Sequence, residues 1–559
     1  MQPNIKFFWL IFSAIFYSLA WLIPNHFMPW LGFHSDALAA LVLLLLSLAV
    51  VFKAKLNIHW HGLAILVLLF LLVISAQYAF GLIFHLGVAW INALYVFGFL
   101  VALLVGSLWE RSATLECADF LFWTVVFGAT ASLGLQIHQW LGLDWLGDWV
   151  ISSKQSRYYA NMAQPNQLGS LFFLGIVGCG WIYVRGKAHA IVATLLAAAL
   201  FFGLALTESR TGWLNAGLLA IALVGWRSLA GKRPSASVVV FLLVFYGGCV
   251  LAVPSLNAWV GSNGAPQEVR SLMDHARLSI WAMVLDAAWL KPWTGYGWGQ
   301  VSHAQFMPGV GQLGFAGNIQ QSHNLILDLI LWNGLPIGVL ASVFLAWWAL
   351  KVLVKISTIE QLLMVLFLSV LFSHAMLEFP LQYAYFLLLA GLMMGVINSN
   401  LNFQVFLTSP KWMGFFLILV AAVAFGVTVR DYFLVEKSFY GLRFEQRKIA
   451  TNIPKTPPET FVLTQLRDHI IFARKDPASF HDLEDIKWAE GLVKTLPSAL
   501  GMYKLSAMYA FADNADAARY WMRNACTMNN IFQCEAVKEL WAQQAIIHPA
   551  MKKIEWEEK

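Results

Sequence analysis

Long apolar runs alternate with short polar segments along the first 430 residues of the chain. An α-helix needs about 20 apolar residues to cross the hydrocarbon core of a bilayer, so each run of about 17 or more residues is a candidate span. The pattern predicts an all-α, polytopic integral membrane protein with about 13 transmembrane helices. The approximate cores of these helices are 7–24, 36–52, 61–81, 88–108, 118–140, 167–184, 189–206, 212–226, 236–258, 330–350, 360–376, 381–397 and 412–429.

Composition and charge support this class. Of the 559 residues, 59% are hydrophobic and 12% are charged, which is far from the composition of a soluble domain. If the N-terminus is cytoplasmic, most Lys and Arg residues of the short loops fall on the cytoplasmic side, in agreement with the positive-inside rule. The net charge of +6 therefore reflects topology and does not indicate nucleic-acid binding. The first apolar segment has no small-residue cleavage site near its end, so we expect a retained span.

The predicted spans and loops divide the chain into four parts. These are N-terminal transmembrane helices at 1–258, a large outer loop at 259–322, C-terminal transmembrane helices at 323–430 and a soluble helical domain on the outer side at 431–559. Within that domain, residues 501–521 resemble one helix-turn-helix unit of a tetratricopeptide array. An ordinary helical hairpin with an apolar seam explains this pattern equally well.

The five cysteines fall into two groups. Cys117, Cys179 and Cys249 lie within or beside apolar spans and are predicted to be packed core thiols. Cys526 and Cys534 flank a short polar turn in the outer domain, where an oxidising compartment would permit a disulfide. Spacing alone leaves this bridge open, because a disulfide also requires a suitable Cα separation.

The polar sequence Gln321-Ser322-His323-Asn324 opens an unbroken apolar helix at the predicted outer face of the membrane. A histidine there can titrate near neutral pH and still face a lipid-borne substrate. Its neutral imidazole can accept a proton from a hydroxyl that attacks a sugar anomeric carbon. The alternative is a surface histidine that caps the helix or bonds to a neighbour.

Three arginines, Arg157, Arg210 and Arg277, lie on the predicted outer side, against the positive-inside bias. A planar guanidinium binds phosphate oxygens bidentately, and fixed cations stabilise the negative charge of a departing diphosphate. The amides Gln164 and Asn166 follow Arg157 at the start of a helix, with Asn166 as the candidate N-cap. For each arginine the alternative is a snorkelling side chain that anchors a helix end.

A second polar group lies near the outer end of a later span. His374 and Glu378 are four residues apart and are predicted to share one face of a helix, with Tyr383 close by in sequence. A zinc site is not predicted, because no third ligand is evident and the HExxH order is absent. We predict a structural or substrate-contact role for His374 and Tyr383.

Five short motifs, in this order, carry a resemblance to a known family. They are Ala163-Gln-Pro-Asn-Gln167, Glu208-Ser-Arg-Thr-Gly212, Arg277-Leu-Ser-Ile-Trp281, Pro292-Trp-Thr-Gly-Tyr-Gly297 and Ser322-His-Asn324. With them the chain resembles the O-antigen ligase and polymerase superfamily, and within it the bacterial O-linked protein oligosaccharyltransferases of the PglL type.

The resemblance implies a metal-independent and cofactor-independent transfer at the periplasmic face of the bacterial inner membrane. The glycan would move from undecaprenyl-diphosphate to Ser or Thr hydroxyls of periplasmic proteins or pilin. The resemblance assigns the catalytic roles to His323, Arg277 and Arg210. The side chains expected to bind substrate are Arg157, Gln164, Asn166, Gln321, Asn324, His374 and Tyr383.

Other functions stay open at this point. An O-antigen ligase, with lipid A core as acceptor, and an O-antigen polymerase share the same loop-and-histidine logic. The soluble segment 431–559 favours protein glycosylation. A transporter of the lipid-linked glycan would use the arginines without chemistry, and the mid-span groups Gln136 and His138 keep that alternative open.

Overall fold

The structure, a computed structural model, describes residues 5–152, 157–230, 235–261, 267–307, 317–449, 455–479 and 482–557. The helices up to the end of the apolar region are α1 Ile5–Ser18, α2 Phe33–Lys53, α3 Gly62–Ala79, α4 Leu86–Ser112, α5 Glu116–Trp140, α6 Pro165–Val184, α7 Ala190–Leu206, α8 Arg210–Gly225, α9 Arg227–Ala230, α10 Ala236–Val260, α11 Gln267–Leu290, α12 Val301–Ala304, α13 Leu325–Lys355, α14 Ile359–Ala375, α15 Ala384–Asn400 and α16 Lys411–Gln446. The remaining helices are α17 Thr464–Arg474, α18 Leu483–Thr495, α19 Ala499–Phe511, α20 Ala515–Thr527, α21 Ile531–Ile547 and α22 Pro549–Lys552.

Each predicted apolar core overlaps one of these helices. By length and composition, eight helices of the described part of the chain can cross a membrane, namely α2, α3, α4, α5, α6, α10, α13 and α16. Shorter apolar helices of 10–17 residues cover Phe8–Trp21, α7, α14 and α15. The all-α polytopic class is therefore confirmed, whereas the count of 13 spans is not.

One short antiparallel ribbon interrupts the helical pattern. Strand β1, Ile58–His61, pairs with strand β2, Val405–Ser409, and Ile58 lies opposite Ser409. The indole Nε1 of Trp60 donates to Ser409 Oγ at 2.9 Å. The ribbon joins segments almost 350 residues apart in sequence, which explains why no local pattern predicted it.

The first compact unit comprises 1–71, 94–270 and 343–425. Its helices approach closely where small residues face each other, as in many membrane proteins. Gly391 and Gly395 of α15 lie one turn apart, and a Cβ on Gly395 would come within 2.8 Å of Ser107 N in α4. A side chain at this position would therefore separate the two helices.

The second compact unit comprises 72–93, 271–342 and 426–559. In it, the loop before α13 and the C-terminal helices share one core. The Phe306 ring lies 5.2 Å from that of Trp521, and Tyr520 OH donates to Phe306 O at 3.0 Å. The hydroxyl of Ser302 donates to Lys494 O at 2.9 Å. The four predicted parts of the chain follow the sides of the membrane, whereas these two units follow compactness. The division into four parts therefore stays a prediction.

The C-terminal helices contain the helical hairpin that the sequence predicted. Asn514 caps α20, and Ser506 Oγ of α19 donates to Ala518 O of α20 at 2.7 Å. The kinship of this hairpin to a tetratricopeptide unit stays a prediction. Cys526 and Cys534 form a disulfide with their Cα atoms 4.6 Å apart. The three other cysteines are free and buried, which confirms them as core thiols.

The expectation of an unbroken helix after Asn324 is wrong. Helix α13 breaks at Gly334, whose φ of 78° and ψ of 169° are not helical, and Pro336 follows two residues later. The loop segment 292–297 bonds to the backbone around this break. Leu335 N donates to Pro292 O at 2.7 Å, and Tyr296 N donates to Leu331 O at 2.8 Å. The loop thus satisfies polar groups that the break leaves without helical partners, as a break at the level of a membrane requires.

Candidate active site

The loop that carries Arg157 is held by two amides near the end of α5. Gln139 Oε1 accepts from Ala160 N at 2.8 Å, and Gln136 Nε2 donates to Tyr158 O at 3.2 Å. Ala160 and Ala163 have left-handed backbones, with φ of 51° and 56°. Non-glycine residues keep such a conformation only where the surroundings impose it. Gln136 therefore has a structural partner in this loop, and Gln139 is a site-supporting residue that the sequence analysis missed.

Helix α6 begins directly after this loop. The prediction of Asn166 as its N-cap is wrong, because Gln164 is the N-cap and Pro165 occupies the first helical position. Proline suits that position, since its missing N–H would have no helical partner there. Gln164 Oε1 is buried and has no hydrogen-bond partner within the described part of the chain. Its predicted role in substrate binding stays a prediction.

Asn166 is the centre of a polar network in the first unit. Its Oδ1 accepts from Arg157 Nη2 at 3.0 Å and from Ser209 Oγ at 2.9 Å. Its Nδ2 donates to Glu378 Oε1 at 3.1 Å. The three bonds fix the orientation of the amide, because only the nitrogen can donate to the carboxylate. Arg157 also donates through Nε to Thr207 O at 2.9 Å, so its guanidinium is held from two sides.

Ser209 connects this network to Arg210. Glu208 has a left-handed φ of 51°, Ser209 is the N-cap of α8, and Arg210 is its first residue. The side chain of Arg210 is exposed, whereas Ser209 is buried and its Oγ lies 2.6 Å from Thr211 Oγ1. The turn between α7 and α8 therefore places Arg210 next to a network that holds Arg157.

His374 and Glu378 do not share a helix, contrary to the prediction. Helix α14 ends at Ala375, and Glu378 follows in a turn where its N donates to His374 O at 2.8 Å. His374 is fully buried, with Nδ1 2.8 Å from Ser170 Oγ. Glu378 instead bonds to Asn166, one turn earlier on α6. Its place in the network was missed, because nothing in the sequence links it to a residue 212 positions away.

Tyr383 is the N-cap of α15, and its ring stacks on that of Tyr385 at 5.2 Å. The next backbone amide, Ala384 N, donates to Asp36 Oδ1 at 2.7 Å, and Tyr95 OH donates to the other oxygen of the same carboxylate at 2.5 Å. Asp36 is buried and fixes the start of α15. The substrate-binding roles of His374 and Tyr383 stay predictions.

His323 lies at a corner of the second unit, just before α13. Its φ of 58° is left-handed, and both neighbours are fixed by hydrogen bonds. Ser322 N donates to Asp328 Oδ1 at 2.8 Å. Asn324 Oδ1 accepts from the backbone amides of Ile326 and Leu327 at 3.0 and 3.2 Å, so Asn324 caps the helix. The corner is therefore preset by its own bonds, and Asp328, buried one turn into α13, is a supporting residue that was missed.

Arg277 belongs to the same unit. It is half-buried on α11, one turn before Trp281, whose Nε1 donates to Ser322 O at 3.1 Å. Residues four apart share a helix face, so Arg277 lies on the face of α11 that meets the His323 corner. Gln321, also half-buried, precedes that corner. Among the described residues, no group of three or more His, Cys, Asp or Glu is arranged to hold a metal ion.

Comparisons with known proteins show which families and relatives the chain resembles. The family described as O-antigen ligase matches residues 195–342, and the family described as virulence factor membrane-bound polymerase, C-terminal, matches residues 362–529. A general O-oligosaccharyltransferase of Acinetobacter baylyi is 28% identical over 516 residues, 90% of this chain and 89% of that protein. A ComP-specific O-oligosaccharyltransferase of the same organism is 27% identical over 445 residues, 77% of this chain and 79% of that protein. No solved structure matches the chain.

The apolar helices define a polytopic membrane protein. The matches confirm its resemblance to the O-antigen ligase and polymerase superfamily, and within it to the oligosaccharyltransferases of the PglL type. The stretch matched by the O-antigen ligase family contains Arg210, Arg277 and His323.

Proposed function

We propose that this chain is an O-linked oligosaccharyltransferase. It moves a glycan from undecaprenyl-diphosphate to Ser or Thr hydroxyls of periplasmic proteins or pilin. The observation that carries this proposal is the similarity to a general O-oligosaccharyltransferase over 90% of the chain, a larger share than the apolar region 1–430 alone provides. A relative that shared only the spans would leave the acceptor class open.

In the proposed reaction the acceptor oxygen attacks the anomeric carbon directly. His323 takes the hydroxyl proton on its imidazole. The bond between the anomeric carbon and the phosphate oxygen breaks, and undecaprenyl diphosphate leaves with the bonding electron pair. Arg277 and Arg210 stabilise the negative charge that develops on the diphosphate. One displacement inverts the anomeric centre, so a product with retained configuration would refute this scheme.

Other side chains support substrate binding in this proposal. Arg157, held by Asn166, contributes a third cation, and Gln164 Oε1 accepts from a sugar hydroxyl. Asn324 and Gln321 border His323, and the capping bonds of Asn324 favour a positioning role for it. No metal or cofactor is required, so transfer should persist in the presence of EDTA.

We place the protein in the bacterial inner membrane, with a cytoplasmic N-terminus and a periplasmic C-terminal domain. The disulfide between Cys526 and Cys534 supports an oxidising compartment for that domain. Alkaline phosphatase fused after the last residue should be active, and fusions to the short loops rich in Lys and Arg should be inactive. The reverse pattern would contradict this topology.

A reconstituted transfer assay tests the function. Purified protein in liposomes receives a lipid-diphosphate glycan and either a Ser-containing pilin-type acceptor or lipid A core. Wild type is compared with His323→Ala and Arg277→Ala, and with exposed controls His189→Ala and Arg447→Ala. Glycan on the protein acceptor that is lost only in the first two variants supports the proposal.

The second candidate is an O-antigen ligase, which the match over residues 195–342 favours. Glycan found on lipid A core in the same assay would select it. Glycan chains that lengthen without any acceptor would indicate a polymerase. Lack of transfer together with movement of the lipid-linked glycan between leaflets would select the transporter.

A further inference from the structure

Helix α11 exposes an apolar stripe in the second unit. Leu278, Ala282, Leu285 and Trp289 follow a spacing of three to four residues and lie on one exposed face. Leu278 is 64% exposed and Trp289 is 71% exposed, and Trp293 just beyond the helix is 78% exposed. The opposite face is also apolar but is buried, with Ile280, Met283, Val284, Ala287 and Ala288. A helix that is apolar on both faces has a second partner besides the protein core.

The position of α13 relative to the bilayer identifies this partner. Its cytoplasmic end is marked by Lys351, over the Trp347 ring at 5.9 Å, and by Lys355. From Lys355 back to Leu335, at 1.5 Å per residue, the helix measures about 31 Å, which equals the hydrocarbon thickness of a bilayer. The break at Gly334 therefore lies at the outer edge of the hydrocarbon.

The end of the stripe lies at the same level. Pro292 O accepts from Leu335 N at 2.7 Å, so Trp293 is adjacent to the break. Tryptophan concentrates at this depth, where the ring is apolar and the N–H reaches the headgroups. Beyond the break, Leu340 of α13 is 70% exposed, as expected for a lipid-facing side chain. Trp293, at the end of the stripe, therefore lies at the level where the exposed flank of α13 begins.

We infer that this stripe of α11, together with Trp293, lies in the phospholipid interface of the bilayer. The interaction anchors the loop that carries Arg277 and leads to His323. Asn324 is separated from the break by about 15 Å of helix at most, so the corner stays within the headgroup region or just outside it. This inference rests on burial, on the length of α13, on the lysines at its cytoplasmic end and on the bond between Leu335 and Pro292, and it does not depend on the glycosyl-transfer activity proposed above.

Depth-dependent quenching tests it. The free native cysteines are buried, so single cysteines at Ala282, Trp289 and Trp293 accept a polarity-sensitive fluorophore selectively. The intact protein is reconstituted in phosphatidylethanolamine and phosphatidylglycerol liposomes with nitroxide at the headgroup or at acyl carbon 5 or 12. Leu340→Cys is the buried-in-lipid reference, and Leu483→Cys, on an exposed position of α18, is the water reference.

We expect blue-shifted emission and quenching by headgroup and carbon 5 nitroxides at all three positions, with less quenching at carbon 12. Leu340→Cys should be quenched most by the deeper nitroxides, and Leu483→Cys by none. Emission at Ala282→Cys like that of Leu483→Cys would overturn the inference. So would a blue shift without nitroxide quenching, because a protein surface would then cover the stripe. Ala282→Cys changes one small exposed side chain, so the test does not depend on replacing a tryptophan.

Discussion

The backbone at His323 allows its chemical role to be separated from its structural one. A left-handed backbone costs a non-glycine residue about 1–2 kcal/mol, and here φ is 58°. Glycine removes this strain but loses roughly 0.5–1 kcal/mol through the entropy of the unfolded chain. Asparagine tolerates the left-handed region better than most residues. Because Ser322 and Asn324 hold the corner, His323→Gly, His323→Asn and His323→Ala should all unfold within about 1 kcal/mol of wild type.

The effect on transfer should be much larger. A general base contributes about 10²–10⁴-fold in rate, which corresponds to roughly 3–5 kcal/mol of activation free energy. All three variants should lose transfer by that factor in single-turnover experiments with saturating donor. Added imidazole should restore part of the rate in His323→Gly, where the side chain leaves space, more than in His323→Asn.

Two results would refute this reasoning. Transfer within tenfold of wild type in His323→Asn or His323→Gly would exclude the imidazole as the base. A large drop in melting temperature in all three variants would show that the side chain, rather than the bonds of its neighbours, holds the corner. The exposed control His189→Gly, measured in parallel, corrects for the introduction of a glycine.

Three further predictions concern other parts of the molecule. Glu378→Ala removes a charged acceptor from Asn166, a bond of about 1.5–3 kcal/mol, so KM for the donor should rise at least about tenfold with a smaller change in kcat. Glu378→Gln keeps an acceptor for this bond and should stay near wild type. Equal losses in both variants would contradict the network. Gly334→Ala forces alanine into a backbone conformation that is accessible almost only to glycine, and it places a Cβ against the backbone of Trp293. Thermal unfolding should therefore show that the free energy of unfolding falls by about 1–3 kcal/mol or more. The control Gly217→Ala, at an exposed position, should show no such fall. Burial lowers the pKa of His85 to about 4 and that of His303 to about 3, whereas both bind protons near pH 6.5 in the unfolded chain. The free energy of unfolding should therefore be constant above about pH 7 and fall between pH 7 and pH 4, by about 1.4 kcal/mol per pH unit and histidine. The variant with glutamine at both positions should show a weaker pH dependence.

The sequence predicted most of the helices because the length of an apolar run is a local property. Each predicted core overlaps a helix, although α1, α7, α8, α14 and α15 are shorter than a full span. The motifs also placed the candidate residues at the ends of helices. Gln164 and Ser209 are the N-caps of α6 and α8, and Asn324 caps α13. Pro165 is a local signal for the first helical position of α6. It would have identified Gln164, and not Asn166, as the N-cap.

Long-range pairing is what sequence patterns could not supply. Glu378 and Asp36 each bond to residues hundreds of positions away, and neither belongs to a periodic pattern. Gln139 was overlooked for a different reason, because its partners are backbone groups of a loop, which no side-chain pattern indicates. A buried polar side chain in an apolar helix indicates that a partner exists, but only the fold identifies it.

The break in α13 shows how local and long-range information combine. Asn333-Gly334 followed by Pro336 is a turn signal inside an apolar run, and it was outweighed by the run itself. A break in a span leaves backbone groups that lipid cannot satisfy, so the partner has to come from elsewhere in the protein. That partner is the segment Pro292–Gly297, where Gly295 has a φ of 62° and a Cβ would collide with the backbone near Gly334. The glycines of this motif are therefore explained by close packing, and its place in the loop links α11, with Arg277, to the helix that follows His323.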